Sequence, residues 1–257
     1  KVSLDLKQIL REGRFDMEMI RKYADSCGDV FDLFHTDRPF LQTKMGDESL
    51  KALAGMFPAV PSGTNANLWH HKHEEDFSVS GPEAARLLTT IAPFMTSGGA
   101  GLSPSINGAP ALYTLPAGDN IFETLVQNIP CRDQGQGNGK IAWRNDRCPG
   151  GERSQATLVE TFTWRPRQIQ LIPETDSDGM PIVRKMKFKK GDSTRMEWRD
   201  PNLAYRYDKD KVTPVRMREN RPIWRDAGPL LLLKGGTSGK DDSRVVFTRP
   251  DVVEQAF

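Results

Sequence analysis

The fold is decided by the segment Val183-Arg184-Lys185-Met186-Lys187-Phe188-Lys189-Lys190-Gly191-Asp192. Met186 and Phe188 alternate with lysines, which is the period of a β-strand that has one apolar face and one charged face. The Gly-Asp pair at the end predicts a turn. The sequence therefore predicts a strand over 181–189. Its lysine row suits the phosphate backbone of a nucleic acid, although an ordinary solvated strand face has the same pattern.

Positive charge is concentrated around this strand. The whole chain has a net charge of +2, but residues 179–234 contain 15 Lys and Arg against 7 Asp and Glu, an excess of 15 − 7 = 8. The remainder of the chain is correspondingly acidic. A local basic surface of this kind favours an anionic partner.

Helical signals precede residue 130 and strand signals follow it. The periodicity predicts helices over 16–33 and 49–57. Ser80 with Glu83 predicts a capped helix that runs to Ala92, and Asp119-Asn120 with Glu123 predicts another that ends near Ile129. Predicted strands cover 156–164, 168–172, 181–189, 212–218 and 229–233. We therefore expect an α+β fold over residues 1–257, with a mainly helical N-terminal half and a strand-rich C-terminal half packed as one large globular domain.

Composition indicates an ordinary globular protein. The 257 residues are 37% hydrophobic and 27% charged. No apolar run approaches the roughly 18 residues of a membrane span, so we expect no membrane association. Cys27, Cys131 and Cys148 are odd in number and widely spaced, which favours reduced thiols and a cytoplasmic location, although a Cys131–Cys148 pair stays open.

A glycine-rich loop is predicted between residues 95 and 108. Ser97, Gly98, Gly99, Ala100 and Gly101 carry almost no side chain, so their backbone amides can approach another molecule closely. Such loops commonly contact phosphate or a groove of nucleic acid. A flexible connector is the alternative interpretation.

Histidines cluster in the segment Trp69-His70-His71-Lys72-His73. Imidazoles are good ligands for zinc or manganese, but the chain contains neither an HEXXH nor a CxxC motif. An aromatic ring beside several hydrogen-bond donors also suits single-stranded nucleic acid. Metal binding, nucleic-acid binding and an ordinary exposed loop all stay open at this segment.

Enzymatic motifs are weak. The segment 230–241 resembles a strand followed by a P-loop, but Lys234 stands where the first glycine is required and Asp241 where a Ser or Thr is required. The carboxylate pairs at 74–75 and 241–242 lie in hydrophilic segments with no evident partner that would shift a pKa. We predict no catalytic residue.

Several segments together resemble one known family. They are Val30 to Lys44, Ser62-Gly63-Thr64-Asn65, Gly98 to Gly108, Ala109 to Thr114, Glu160 to Ile169, and Trp198-Arg199-Asp200-Pro201-Asn202. In order and spacing they are similar to the CasA family, the large subunit of the type I-E CRISPR Cascade complex. Family members also have additional N-terminal strands and helices and a C-terminal helical bundle. Residues 1–257 are therefore expected to be the partial N-terminal globular domain of that subunit, without the bundle.

The resemblance implies a non-catalytic subunit that recognises the protospacer-adjacent motif in double-stranded DNA and promotes strand opening. Ser97, Gly98, Gly99, Ala100 and Gly101 would enter the minor groove, and one of Lys187, Lys189 and Lys190 would contact the motif. Trp69, His70, His71 and Lys72 would anchor the subunit near the 5′ handle of the guide RNA. The other implied partners are the remaining Cascade subunits and a trans-acting helicase-nuclease, with no cofactor and no metal.

Two alternatives come from other classes of protein. One is a metal-dependent hydrolase that uses His70, His71 and His73. The other is an architectural subunit that binds RNA and protein and never reads DNA.

Overall fold

The structure is a computed structural model, and it describes most of the chain. The described residues are 2–56, 77–95, 102, 104–108, 111–130, 139–208, 211–217, 220, 222, 224, 227–231, 237–238 and 245–255. The helices are α1 (Val2–Glu12), α2 (Met17–Cys27), α3 (Gly81–Phe94), α4 (Ile121–Gln127), α5 (Leu158–Phe162), α6 (Ala227–Leu231) and α7 (Asp251–Gln255). The strands are β1 (Lys51–Ala52), β2 (Val79–Ser80), β3 (Gly151–Arg153), β4 (Arg167–Thr175), β5 (Pro181–Lys190), β6 (Asp192–Thr194), β7 (Tyr205–Asp208), β8 (Lys211–Pro214), β9 (Thr237–Ser238) and β10 (Val245–Thr248).

The chain divides into two compact units, each assembled from distant stretches of sequence. Unit 1 comprises 1–23, 110–135 and 197–257, and unit 2 comprises 24–109 and 136–196. Both units contain helices and strands, in agreement with the predicted α+β class. Each unit draws on both halves of the sequence, so the expected arrangement of a helical half and a strand-rich half in one large domain is not confirmed.

Unit 2 is built on the antiparallel pair β4–β5. The short strands β1 and β2 pair with different parts of β5, which makes β5 the central strand of a four-stranded sheet. Helix α3 packs in the same core, which forms because apolar side chains of the sheet and the helix leave water together. The buried core residues are Leu53, Met56, Val79, Ala84, Leu88, Ile91, Ile169, Leu171, Val183 and Met186.

The predicted helix starts at Ser80 and Asn120 are confirmed. The backbone N–H of Ser80 donates to Oε2 of Glu83 at 2.9 Å, the reciprocal contact of a capping box at the start of α3. The Asn120 side chain accepts from the backbone N–H of Glu123 at 2.9 Å at the start of α4. Helix α3 extends two residues beyond the predicted end at Ala92, and Pro93 lies in its last turn.

Three predicted elements are wrong. The segment 156–164 contains helix α5 instead of a strand, because Thr157 and Glu160 form a second capping box, with Thr157 N–H to Glu160 Oε2 at 2.9 Å. In the predicted strand 229–233, residues 229–231 belong to helix α6, and residues 232 and 233 lie outside the described residues. The segment 49–57 forms β1 and a 3₁₀ turn at Leu53–Met56, because residues 51 and 52 pair with β5.

Unit 1 contains a second antiparallel sheet. Its strand order is β8-β7-β10-β9, and β8 confirms part of the strand predicted over 212–218. Buried Leu203, Ala204 and Val252 contribute to the interior of this unit. In the part of the chain that the structure describes, no helix has the length and apolarity needed to cross a membrane.

Candidate nucleic-acid interface

The predicted two-faced strand is present as β5. Met186 is only 1% exposed and Phe188 packs on the core, whereas Lys185, Lys189 and Lys190 are exposed. Neighbouring β4 is in antiparallel register, with Arg167 opposite Lys190 and Gln170 opposite Lys187. The alternation predicted from the sequence therefore places Lys185, Lys187 and Lys189 on the outer face of the sheet of unit 2. Lys190 pairs with buried Arg167 and lies on the other face, where it is exposed at the end of the strand.

A β-bulge limits the regular part of this face. Ile172 pairs with Lys185 and Pro173 pairs with Val183, so Arg184 is the additional residue in β5. Val183 and Met186 are three positions apart, so regular alternation would place them on opposite faces. The bulge places both on the buried face. The regular lysine face therefore consists of Lys185, Lys187 and Lys189.

The three candidate lysines differ in what they already contact. The ammonium of Lys187 donates to the carbonyl oxygen of Gly46. Lys189 Nζ lies 3.0 Å from Glu48 Oε1, and this hydrogen bond lowers the pKa of the Glu48 carboxyl. Lys190 is exposed and makes no side-chain hydrogen bond or ion pair with any described residue. Lys190 is thus the candidate whose charge is most available to a partner.

The glycine-rich residues Ser97, Gly98, Gly99, Ala100 and Gly101 lie outside the described residues, but the structure describes positions on both sides of them. The backbone N–H of Ser105 donates to the carbonyl oxygen of Met95 at 2.7 Å. Ser105 is buried, and its hydroxyl contacts the carbonyl oxygen of Gly108 at 3.0 Å. The chain therefore returns at Ser105 to the C-terminal end of α3. Both positions belong to unit 2, the unit that contains the lysine face.

The histidine segment also lies outside the described residues, including Trp69, His70, His71, Lys72 and His73. On either side of it, Met56 is buried and Phe77 packs on the core of unit 2. Among described residues, no group of three or more His, Cys, Asp or Glu side chains is arranged to hold a metal ion. Among the described residues, Cys27 and Cys148 form no disulfide, and Cys131 lies outside the described residues.

Sequence reasoning missed a basic cavity in unit 2. It has a volume of about 210 Å³, and its charged lining residues are Asp37, Arg38, Lys44, Asp146, Arg147 and Arg165. The guanidinium of Arg147 holds the buried Asp192 carboxylate through Nη1 at 2.9 Å and Nη2 at 2.5 Å. These hydrogen bonds raise the pKa of Arg147, whereas burial lowers the pKa of Arg165. The Arg-Pro-Arg run at 165–167 is the one local feature of the sequence that points to positive charge at this cavity.

The Trp198-Arg199-Asp200-Pro201-Asn202 motif has a structural role in unit 1. The Asn202 Nδ2 donates to the carbonyl oxygen of Thr114 at 3.1 Å and to Asn128 Oδ1 at 3.0 Å. The backbone N–H of Asp200 donates to the hydroxyl of Tyr205 at 2.6 Å. These buried polar groups are satisfied by one another, so the motif holds a turn together.

The chain is similar to known proteins along nearly its whole length. The model of the family described as CRISPR-associated protein Cse1 matches residues 3–257. A curated relative, "CRISPR-associated protein CasA/Cse1" of Thermus thermophilus, is 30% identical over 244 residues, which are 88% of this chain and 47% of that protein.

Two solved structures share the fold. A crystal structure of Thermus thermophilus CasA has a TM-score of 0.72 at 22% identity and is matched over 99% of this chain and 50% of its own. A structure described as "CRISPR RNA-guided surveillance complex" has a TM-score of 0.71 at 24% identity and is matched over 98% of this chain and 53% of its own. The chain spans about half the length of these relatives.

Proposed function

The chain belongs to the CRISPR-associated Cse1 family, and on that premise we propose that it is a non-catalytic subunit of an RNA-guided antiviral complex. In this proposal it binds a protospacer-adjacent motif in duplex DNA, promotes strand opening and helps recruit a helicase-nuclease. The similarity to a structure described as an RNA-guided surveillance complex supports the assignment to such a complex. Reading of the longer target sequence is left to base pairing with the guide RNA.

The observation that carries this proposal is the outer face of β5. Lys185 and Lys189 are exposed on this face, Lys190 is exposed at the end of the same strand, and the neighbour β4 holds the strand in a fixed register. Lysines at fixed spacing on a rigid strand can neutralise successive phosphates, which is the sequence-independent part of DNA binding. Lys190 is the first choice for a direct contact because its ammonium makes no hydrogen bond or ion pair with another described residue.

The motif itself is read, in this proposal, by the backbone of Ser97, Gly98, Gly99, Ala100 and Gly101. A loop without bulky side chains suits the minor groove, which is narrow and presents a degenerate pattern of hydrogen-bond groups. The hydrogen bond between Ser105 and Met95 supports this role, since it returns the chain to one place on unit 2. The loop supplies tolerant reading and the lysines supply affinity.

The remaining partners are proposed from the family. Trp69, His70, His71 and Lys72 would contact the 5′ handle of the guide RNA, where stacking on the indole contributes about 1–3 kcal/mol per base. Other subunits of the complex would hold the protein in place, and a helicase-nuclease would supply the chemistry. We infer a cytoplasmic location and no cofactor.

The first experiment measures fluorescence anisotropy of the reconstituted complex on target duplexes with and without the adjacent motif, at several salt concentrations. We expect a gain in affinity that needs both the motif and this subunit. Gly99→Asp should abolish the gain, because it places a carboxylate against the groove. Lys190→Gln should weaken binding to every duplex and lower the salt slope by about 0.9.

Lys22→Gln is the matched control, since Lys22 is an exposed lysine on α2. It should leave affinity and salt slope unchanged. Binding that depends on the subunit but ignores the motif would contradict the reader role and favour an architectural subunit. Stoichiometric metal together with hydrolytic activity that His71→Ala removes would favour the hydrolase.

A further inference from the structure

We propose that the basic cavity of unit 2 binds one phosphodiester group of a nucleic-acid strand and so continues the track of the lysine face. The function proposed above assigns no role to this cavity. The inference rests on that function because it is the proposed function that brings nucleic acid to the protein. DNA and guide RNA present the same group, and the two arms of the experiment distinguish these sources.

One cation of the cavity, Arg165, is available to an anion. Four cationic side chains line it, from Arg38, Lys44, Arg147 and Arg165, against the carboxylates of Asp37 and Asp146. The lining therefore carries 4 − 2 = +2, but Asp192 and Asp29 pair with Arg147 and Arg38 from outside the lining and balance this charge. Lys44 pairs with Asp37, so Arg165 is the lining cation that has no carboxylate partner among the described residues. A cation without a partner in a concave, partly desolvated site attracts an anion more strongly than the same charge on a flat surface does.

Two of the cavity's three arginines, Arg147 and Arg165, differ in how many of their hydrogen-bond donors are already used. Arg147 is committed to Asp192 through two parallel hydrogen bonds, and Asp192 also accepts from the backbone N–H of Gly150 at 2.9 Å. Arg165 donates through Nη2 to the carbonyl oxygen of Arg147 at 2.9 Å, its one side-chain hydrogen bond to a described residue. A guanidinium has five N–H donors and stays charged, so Arg165 has further N–H donors that can bind two oxygens of a phosphate.

The cavity lies directly beyond Lys190, the last residue of β5. Lys190 is followed by Gly191, whose N–H donates to the carbonyl oxygen of Pro166 at 3.0 Å. The N–H of the next residue, Asp192, donates to the carbonyl oxygen of Arg165 at 2.8 Å. A Cβ atom on Gly191 would overlap the carbonyl oxygen of Arg165, so only glycine allows the two segments to approach this closely. Lys190 and Arg165 therefore succeed one another along one edge of unit 2.

The wall of the cavity is rigid enough to define a site. Trp143 lines it and packs against Phe31 and Phe40, with ring centroids 5.8 Å and 5.9 Å apart. A volume of about 210 Å³ accommodates a phosphate group together with a few waters but is smaller than typical pockets for whole ligands. The ligand is thus one group of a longer strand that runs across the opening.

The test uses the full protein in the reconstituted complex. One arm measures binding of target duplex as a function of salt. The other arm measures the affinity of this subunit for a complex that contains the guide RNA and the remaining subunits. Arg165→Gln should weaken one arm about tenfold. The salt slope of that arm should fall by about 0.9 for duplex or about 0.7 for single-stranded RNA.

Two further variants separate the cavity from general charge. Lys44→Gln removes an exposed rim cation and should give a smaller loss in the same arm, which keeps the test valid if Arg165→Gln fails to fold. Arg184→Gln removes an arginine of the same sheet that pairs with Glu174 and lies outside the cavity, and it should change neither arm.

The outcomes distinguish the two proposals. Loss in the duplex arm assigns the phosphodiester to DNA, and loss in the assembly arm assigns it to guide RNA. If Arg165→Gln and Lys44→Gln both behave like Arg184→Gln while motif-dependent binding persists, the cavity proposal is overturned and the proposed function stands. Absence of motif dependence in the wild type, with the Arg165 effect retained, would overturn the proposed function alone.

Discussion

The turn at Asp200–Asn202 and the outer face of β5 are both rich in polar groups, yet they use them in opposite ways. At the turn, polar groups are buried and face one another, as in the contacts of Asn202 with Thr114 and Asn128. On β5, Lys189 and Lys190 face solvent, and only Lys189 has a carboxylate partner among the described residues. A polar residue can thus serve the fold or a partner, and burial distinguishes the two cases.

The difference has a measurable consequence. Buried groups that satisfy one another leave an unpaired donor or acceptor when one of them is removed, which lowers the free energy of unfolding. Exposed cations contribute little to stability, and their removal changes binding and its salt dependence. Variants of the turn should therefore change stability, and variants of the lysine face should change binding.

The largest effect is expected for Asn202→Ala. The change removes both hydrogen bonds of Nδ2 and leaves the carbonyl of Thr114 and the amide oxygen of Asn128 without this donor inside unit 1. The free energy of unfolding should fall by about 2–4 kcal/mol. Urea denaturation measures it. Gln8→Ala, which removes an exposed amide from α1, is the control and should stay within about 0.5 kcal/mol of wild type. Equal effects would contradict the structural role of the turn.

A smaller loss of stability is expected for Tyr205→Phe. The change leaves the buried N–H of Asp200 without its acceptor and should cost about 1–3 kcal/mol. Burial raises the pKa of Tyr205, so the folded state disfavours the phenolate. The unfolded state therefore ionises first, and the stability difference between wild type and variant should shrink as the pH rises above about 10. A difference that stays constant across that range would show that the hydroxyl is not buried in solution.

Local signals made part of this structure predictable. The starts of α3 and α4 follow from a side chain and a backbone amide three residues apart, at Ser80 and Asn120. The two faces of β5 follow from alternation within ten residues. In each case the deciding contact lies within a few positions of the residue, so the sequence alone contains the information.

Other features depended on distant residues or on competing local signals. The sequence predicts a strand over 156–164, whereas Thr157 and Glu160 form the capping box that starts helix α5 there. The basic cavity joins residues 37–44, 142–149 and 165, and no short pattern connects these segments. The unequal states of Lys187 and Lys189 depend on Gly46 and Glu48, more than a hundred positions away.

The smallest effect, expected for Glu48→Gln, tests the contrast on the lysine face itself. Lys189 is the exposed lysine of β5 whose charge the protein already balances, through Glu48 at 3.0 Å. A neutral amide in place of the carboxylate leaves the ammonium free for a phosphate, so duplex binding by the complex should tighten about two- to fivefold and the salt slope should increase. Anisotropy titrations at several salt concentrations measure both quantities.

Glu174→Gln removes the same charge from the same sheet, beside Arg184 at the bulge, and should change neither quantity. A rise of equal size in the two variants would mean that net charge, and not the release of Lys189, controls affinity. No rise in either would place Lys189 away from the nucleic acid and leave Lys190 as the strand's contact.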